Sequence, residues 1–303
     1  MTSDNKDWLR LMLALESLEE GFDEHRLPLT DKLAGQKFEL YPEGEEGNIF
    51  IHFKDASQAE WRLENEPRNT EHYEAMEVRP DIFFVDWVSH ADPKKSLSIV
   101  LDLVSRESTL LWSQLPSAQD ARADLFERIK RTNDLSAVKT HIVHGGVDGE
   151  RTKKIHGRTA DLVGKRLKHT YSNKHAFEHI YLNERLFCWQ SLEGPDKGLA
   201  DTEPVDYIKI AEDLYLFSWR ERIVPWVGIV LIDLVQMRTA GKVFYGDIAD
   251  PDKVTNYTVG ARVSFSLLRP SKFEGHRPTI RHGCRMALMV ALNWSVECVK
   301  EES

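Results

Sequence analysis

The sequence predicts an all-β protein of two antiparallel β-barrel units with N-terminal, connecting and C-terminal helices. Three observations predict this class. Residues 81–87 and 99–104 reappear as residues 213–219 and 230–235, so the chain contains a long internal repeat. Within each half, apolar and polar side chains alternate with the period of two that is typical of strands. Each half provides about six to eight strands joined by short turns, and such a meander is stabilised by closing on itself.

The repeat is the strongest of these observations. It also aligns Trp61 with Trp189 and Gly35 with Gly164, in the same order along the chain. All of these matches lie about 130 residues apart, so we interpret the chain as one structural unit followed by a copy of it. Asp102 and Asp233 occupy equivalent positions inside apolar strands. Because a buried aspartate needs partners, we expect each to anchor a turn in its barrel.

Composition excludes several classes of protein. The chain has 303 residues, enough for two domains, and a net charge of −9, which disfavours nucleic acid and anionic membranes as partners. Its first residues are polar, and no apolar run approaches the length of a membrane span. The three cysteines are Cys188, Cys284 and Cys298, an odd number without a close pair. We therefore expect a reduced, cytoplasmic protein.

In the first half, residues 6–20 have helical spacing, and we assign residues 1–32 to an N-terminal helical segment. The first barrel unit is expected to span residues 33–115. It starts with the alternation around Phe38 and Leu40 and continues with strands over residues 48–53, 58–63, 73–78, 81–89, 96–105 and 108–112.

The connector spans residues 116–161, with a helix over residues 116–131 and a loop over residues 139–158 that is rich in glycine, histidine and charge. The second barrel unit spans residues 162–268. Its strands are expected over residues 165–172, 176–182, 185–192, 205–211, 214–220, 227–236, 242–245 and 256–265, with a loop over residues 193–204. Residues 269–303 should contain a C-terminal helix at 282–300.

Residues 207–221, Tyr-Ile-Lys-Ile-Ala-Glu-Asp-Leu-Tyr-Leu-Phe-Ser-Trp-Arg-Glu, give the clearest family resemblance. With the duplicated units, this run resembles the molybdenum cofactor biosynthesis protein F (MoaF) family over most of the chain. The same run is similar to a strand of the phenolic acid decarboxylases. Both resemblances imply a calycin-like barrel with an interior ligand site. The second implies a catalytic role for Glu221, whereas the position of the decarboxylases' catalytic arginine is occupied by Cys188 and their paired tyrosines have one counterpart, Tyr171.

Comparison of the two units also points to Glu221. The second unit has Arg220 and Glu221 after Trp219, where the first has Val88 and Ser89, and we assign both Arg220 and Glu221 to the expected catalytic set. If Glu221 points inward, Trp219 shares its face, and burial among aromatic rings would raise the carboxyl pKa into a range useful for acid–base chemistry. The alternative is that residues 220–222 form a charged, solvated hairpin tip.

His179 and Tyr181 form a second candidate, because they share one strand face and both can exchange protons; we align them with Phe50 and His52 of the first unit. The alternative is a partly exposed sheet face. The expected substrate-binding residues are all aromatic and belong to the second unit: Tyr171, Trp189, Tyr207, Tyr215, Phe217 and Trp219.

We expect no metal and no cofactor. The chain has 12 histidines, but their spacing does not match a metal motif, and no glycine-rich phosphate loop occurs.

These features favour a cofactor-independent lyase or isomerase. It would catalyse elimination, decarboxylation or cyclisation, including a pericyclic step, on a small hydrophobic aromatic or polyketide- or terpenoid-derived metabolite. The alternative is a non-catalytic lipocalin-like binding protein, and a third interpretation is a structural assembly factor. The expected partner is a small hydrophobic or aromatic molecule, with a homodimer left open.

Overall fold

The structure is a computed structural model that describes residues 21–247, 250 and 252–266. The expected helices at residues 6–20 and 282–300 lie outside the described residues. Two eight-stranded antiparallel barrels follow each other along the chain, which confirms the predicted fold class.

The first barrel is an up-and-down meander in which every strand pairs with its neighbour in sequence. Its strands are β1 (Lys37–Pro42), β2 (Ile49–Phe53), β3 (Gln58–Leu63), β4 (Asn69–Arg79), β5 (Ile82–Val88), β6 (Lys95–Asp102), β7 (Glu107–Gln114) and β8 (Lys139–Val147). The barrel closes between β8 and β1, where Leu40 lies opposite Val147. Closure leaves no unpaired edge in this sheet.

The second barrel repeats this order. After the short strand β9 (Gly157–Arg158), its strands are β10 (Arg166–Thr170), β11 (Ala176–Tyr181), β12 (Leu186–Glu193), β13 (Ala200–Ala211), β14 (Leu214–Arg220), β15 (Trp226–Asp233), β16 (Arg238–Gly246) and β17 (Val254–Phe265). It closes between β17 and β10, where His169 lies opposite Val263. Strand β9 pairs with Ile208 and Lys209, near the C-terminal end of β13. The first residues of β13, 200–204, fall in the expected loop over residues 193–204 and instead pair with β12.

Strand β8 corrects the expectation of a loop over residues 139–158. Gly145 and Gly146 suggested a turn, but here they let the strand pass close to other backbone. A Cβ atom added at Gly146 would lie 1.8 Å from the carbonyl oxygen of Gly149, and one at Gly145 would lie 2.7 Å from that of Tyr41. Gly145 therefore permits the close pairing with β1 that closes the barrel, and Gly146 permits the following loop to fold back against β8.

The connector contains two short helices where we expected one. Helix α1 spans Ala118–Arg122 and helix α2 spans Leu125–Thr132. The chain breaks between them because the Asp124 side chain caps α2, accepting a hydrogen bond from the Glu127 amide at 2.9 Å. None of the helices in the described residues has the length and apolar character needed to cross a membrane.

The equivalent aspartates anchor the same turn in each barrel, as predicted. The Asp102 carboxylate accepts hydrogen bonds from the amides of Val104 and Ser105, at 2.9 and 3.0 Å. Asp233 accepts two from the amides of residues 235 and 236, both at 2.9 Å. Asp233 also receives two hydrogen bonds from Arg79 of the first barrel, at 2.8 and 2.9 Å.

Within the described residues, three apolar clusters form the core. One fills the first barrel and one fills the second. The third, which includes Phe84, Val100, Leu216 and Ile229, combines outward side chains of both barrels and so joins them. Because the side chains of this third cluster are buried where the two barrels meet, the barrels form a single packed body.

A charged pair lies buried beside this joining cluster. The Lys242 ammonium of β16 lies 2.6 Å from the Asp86 carboxylate of β5, and both side chains are at most 1 % exposed. Lys242 also donates to the Ser96 hydroxyl at 2.8 Å. Asp86 accepts further hydrogen bonds from Ser98 at 2.8 Å and from Asn256 at 2.9 Å.

Candidate functional site

Glu221 lies at the end of β14, on the same face as the aromatic side chains that fill the second barrel. The indole Nε1 of Trp219 donates a hydrogen bond to Glu221 Oε1 at 2.9 Å. Trp219 is itself part of the interior cluster. The residue is half-buried, but its carboxyl group is withdrawn from water, and this burial raises the pKa of Glu221. The group can therefore hold a proton above the ordinary pH range of glutamate.

The carboxyl group of Glu203 on β13 lies beside that of Glu221, close enough for each to affect the ionisation of the other. Glu203 is 1 % exposed. Burial raises its pKa strongly, and the neighbouring Glu221 raises it further. Two neighbouring buried carboxyl groups cannot easily both ionise, so the pair holds a proton to higher pH than a free glutamate. The Arg222 guanidinium, 3.6 Å from Glu203 Oε2, opposes this effect but does not reverse its direction.

Only one of the two glutamates, Glu203, has a glutamate counterpart in the first barrel. Glu203 Oε2 accepts a hydrogen bond from the amide of Arg222 at 2.8 Å. In the first barrel, Glu71 accepts the equivalent bond from the amide of His90 at 2.7 Å. This role of Glu203 is therefore structural and shared by both barrels. Glu221 is specific to the second barrel, because Ser89 occupies its position in the first.

The carboxyl pair predicts a pH dependence of stability. An unfolded glutamate ionises near 4.5, whereas the folded pair retains its proton to higher pH. Above pH 4.5 the unfolded state therefore binds fewer protons, and the free energy of unfolding should fall by up to about 1.4 kcal/mol per pH unit until the folded pair ionises. Urea unfolding between pH 5 and about 8 should show this slope in the wild type and lose it in a Glu203→Gln/Glu221→Gln variant. Glu71→Gln is the matched control, and parallel slopes in all three proteins would contradict the shared proton.

The connector fastens the turn that carries Glu221. The Ser136 hydroxyl donates to the carbonyl oxygen of Glu221 at 2.7 Å. Arg128 of α2 is 5 % exposed and donates to the carbonyl oxygen of Arg222 at 2.6 Å. These bonds fix the backbone at Glu221 and at the residue that follows it, so the position of the carboxyl group is set by the connector as well as by β14.

Arg220 does not join Glu221. Its guanidinium pairs with the Asp206 carboxylate at 2.6 Å and donates to the Thr140 hydroxyl at 2.6 Å. Neighbouring residues of a strand point to opposite faces, so an inward Trp219 and Glu221 place Arg220 outside. We therefore remove Arg220 from the expected catalytic set.

His179 and Tyr181 point into the second barrel together with His169, a residue that the sequence analysis missed. The His169 and His179 rings lie 4.1 Å apart, and His169 Nε2 lies 3.2 Å from the Tyr181 hydroxyl. Burial lowers the pKa of His169 to about 3 and that of His179 well below its usual value. Both imidazoles are thus neutral near pH 7, and their Nδ1 atoms have no hydrogen-bond partner within the described residues.

The register corrects our alignment of these residues with the first barrel. His179 lies opposite Trp189, as Ile51 lies opposite Trp61. The equivalents of His179 and Tyr181 are therefore Ile51 and Phe53, not Phe50 and His52, which face outward on β2. An error of one residue exchanges the two faces of a strand. His169 occupies the position of Leu40 in the first barrel. The interior of the second barrel therefore has two histidines and a tyrosine at three positions that are apolar in the first.

The expected binding residues all lie in or against the interior cluster of the second barrel; they are Tyr171, Trp189, Tyr207, Tyr215, Phe217 and Trp219. The Phe217 and Trp219 rings stack 5.2 Å apart beside His179. The Tyr215 hydroxyl donates to Asp161 at 3.2 Å, so this group is engaged at the barrel end away from Glu221. The structure therefore brings the aromatic set together with Glu221, His179 and Tyr181.

Gly228 makes room for the Trp219 ring. A Cβ atom at Gly228 would lie 2.0 Å from Trp219 Cη2. We expect Gly228→Ala to displace the indole, break its bond to Glu221 and cost about 1–3 kcal/mol of stability. Gly157→Ala is the control, because no atom lies within 4 Å of its added Cβ, and it should change stability by less than about 0.5 kcal/mol. Equal unfolding midpoints and tryptophan emission in both variants would show that the contact is not needed.

Matches to family models and to a known protein place the chain among its relatives, and one solved structure shows a weak similarity. Models of the MoaF N-terminal and C-terminal domains match residues 8–117 and 156–267. Protein MoaF of Klebsiella aerogenes is 36 % identical over 253 residues, which cover 83 % of this chain and 94 % of that protein. A solved structure of a "putative beta-lactamase" from Burkholderia vietnamiensis matches 36 % of this chain and 100 % of its own, with 13 % identity and a TM-score of 0.30. That last similarity is too low to carry an argument.

Within the described residues, no group of three or more His, Cys, Asp or Glu side chains is arranged to hold a metal ion.

Proposed function

The chain belongs to the MoaF family, and on that premise we propose that its second barrel binds a small hydrophobic, aromatic metabolite on which Glu221 acts as general acid or base. The reaction would be of the lyase or isomerase type, such as loss of water or carbon dioxide or a cyclisation, on an aromatic or a polyketide- or terpenoid-derived substrate. The first barrel is the structural partner in this proposal.

The observation that carries the proposal is the Glu221 carboxyl group. It is buried, oriented by Trp219 and close to a second carboxyl group, and the first barrel has only a serine in its place. A carboxylic acid that keeps its proton near neutral pH can protonate a leaving group or an enol, and its ionised form can remove a proton.

The histidines and Tyr181 give this acid a suitable surrounding. Neutral imidazoles and a phenol can hydrogen-bond a carbonyl or hydroxyl group without introducing charge. The aromatic rings around them favour a flat, apolar ligand body. Reactions with an activated substrate need little more than such a dry, oriented site and one acid or base.

The proposal is tested by finding the ligand and its fate. A panel of aromatic, polyketide and terpenoid compounds is titrated while tryptophan emission is recorded, and each binder is incubated and analysed by mass for loss of water or carbon dioxide or for an isomer. We expect Trp219→Phe to remove the emission change and the equivalent substitution Trp87→Phe to retain it. The reverse result would place the ligand in the first barrel and overturn the proposal. Binding by the second barrel without product for any binder would favour the lipocalin-like binding protein.

A further inference from the structure

A pocket of about 600 Å³ lies at the end of the second barrel where β10 meets β11 and β12 meets β13. Its lining includes the ammonium groups of Lys174 and Lys197 and the imidazole ring of His175. The turn that carries Glu221, between β14 and β15, belongs to the same end of the barrel, because alternate connections of a meander share one end. The pocket therefore stands at the Glu221 end of the aromatic interior.

The two lysines are free to act on a ligand. Within the described ranges, neither the Lys174 nor the Lys197 ammonium group forms an ion pair or a hydrogen bond with a side chain. The pocket also includes Glu193, but that carboxylate lies 3.5 Å from the Lys168 ammonium group, which offsets its charge. The buried Asp196 carboxylate, which accepts a hydrogen bond from the Ser191 hydroxyl at 2.9 Å, lies behind the pocket. The two unpaired ammonium groups therefore outnumber the one carboxylate that has no cation partner in the described residues, in a protein whose net charge is −9.

His175 supplies the buried part of the pocket. It is 3 % exposed, and its Nδ1 has no hydrogen-bond partner in the part of the chain that the structure describes. Gly194 lets the chain pass close to this nitrogen and to the Asp196 carboxylate, since a Cβ atom there would lie 3.1 Å from Nδ1 and 2.9 Å from Asp196 Oδ1. The His175 ring also lies 5.0 Å from Phe22, which packs 4.5 Å from Tyr171 of the interior cluster. One imidazole thus borders both the pocket and the aromatic interior.

The first barrel has the opposite charge at this place. Its β1–β2 turn, residues 43–48, contains Glu43, Glu45 and Glu46 and no basic residue. The equivalent β10–β11 turn contains Lys174 and His175. A duplicated scaffold does not require this reversal, so we attribute it to a ligand that only the second barrel receives.

We infer that Lys174, Lys197 and His175 form an anion subsite that holds the carboxylate or phosphate group of the second barrel's ligand. The ligand class is then an aromatic or similarly hydrophobic organic anion, with its apolar body among the interior rings. This inference rests on the proposed function for the location of that body. The anion is bound by charge-assisted hydrogen bonds from the two ammonium groups, and the His175 ring forms the inner wall of the subsite.

The subsite itself is tested with inorganic phosphate, by calorimetry at constant ionic strength. Saturable binding is expected in the wild type, and the Lys174→Gln/Lys197→Gln variant should bind about tenfold or more weakly. Lys153→Gln is the control, since Lys153 is an exposed lysine outside the pocket. Absence of saturable binding to the wild type, or equal binding to the double variant, would overturn the subsite. The NMR signal of the His175 ring should shift with phosphate in the wild type, and an unmoved signal would remove His175 from the subsite.

The ligand class is tested with benzoate and benzamide, which share a ring and differ in charge. The wild type should prefer benzoate by about tenfold, and the Lys174→Gln/Lys197→Gln variant should lose that preference. Equal binding of both compounds to the wild type would overturn the assignment of an anionic ligand. Phosphate does not involve Glu221, so Glu221→Gln should bind it like the wild type. A failed acid–base proposal is therefore distinguishable from a failed anion subsite.

Discussion

Replacing Glu221 with glutamine is expected to leave ligand binding unchanged and to lower turnover by about 10²–10⁴-fold, the usual contribution of one general acid–base group. Glutamine has nearly the same shape and can still accept the hydrogen bond from Trp219 Nε1, so the aromatic site should keep its form. It cannot exchange a proton, and the chemical step should therefore slow while the dissociation constant stays the same. The measurement is turnover of a substrate found in the panel, together with its affinity.

The pH profile separates the two roles of Glu221. Burial raises the pKa of this carboxyl group. If the protonated form is the acid, the rate falls as pH rises through that raised pKa; if the ionised form is the base, the rate rises there. Glu71→Gln, the equivalent change to Glu203→Gln in the first barrel, is the control and should leave turnover intact. Normal turnover by Glu221→Gln with ligand still bound would make the acid–base assignment wrong, and His179 and Tyr181 would be tested next.

The largest loss of stability is expected from Lys242→Met. The substitution keeps the volume of the side chain but leaves the Asp86 carboxylate buried without its cation. Removing one partner of a buried ion pair typically costs about 3–5 kcal/mol, because the remaining charge is neither solvated nor neutralised. The pair lies where the barrels join, so the cost should appear in the unfolding of the whole described body.

Two further variants make this expectation specific. In Lys242→Met/Asp86→Leu both charges are absent, and most of the lost stability should return, since an apolar replacement of a buried pair is often neutral. Lys253→Met removes an exposed lysine 3.9 Å from Asp247 and should change stability by less than about 1 kcal/mol. Guanidinium unfolding provides the free energies. A cost below about 1 kcal/mol for Lys242→Met would show that Asp86 is satisfied by Ser98 and Asn256 alone.

The barrels could be predicted because two independent signals agree in them. Period-two alternation gives the strands, and the repeat gives their order twice, so turns such as those at Asp102 and Asp233 could be predicted from either half. Strand β8 could not, because Gly145 and Gly146 are selected for close backbone approach and resemble a loop. The break between α1 and α2 depends on the N-terminal cap that the Asp124 side chain provides for α2. The spacing of apolar residues, from which the helix was predicted, contains no information about this cap.

The site could be predicted in part. Glu221 stood out because the first unit lacks it, and alternation along β14 should also have excluded Arg220. Glu203 was missed because the first unit has Glu71 at the equivalent position. A comparison of the two units identifies only residues that differ between them. His169 was missed because pairing across β10 and β11 depends on register, and one residue of slip assigns the wrong face.

The position of β8 after the connector has a consequence for biosynthesis. The nascent chain cannot complete its first barrel when β7 leaves the ribosome at residue 114, since the strand that joins β7 to β1 ends only at Val147. Until then β1 and β7 each present a free row of backbone donors and acceptors, the usual starting point for misassociation during translation. A fragment cut at residue 117, where the N-terminal family match ends, would retain both rows. A first barrel without open edges must therefore extend to residue 147, and α1 and α2 belong to the first folding unit rather than to a dispensable tether.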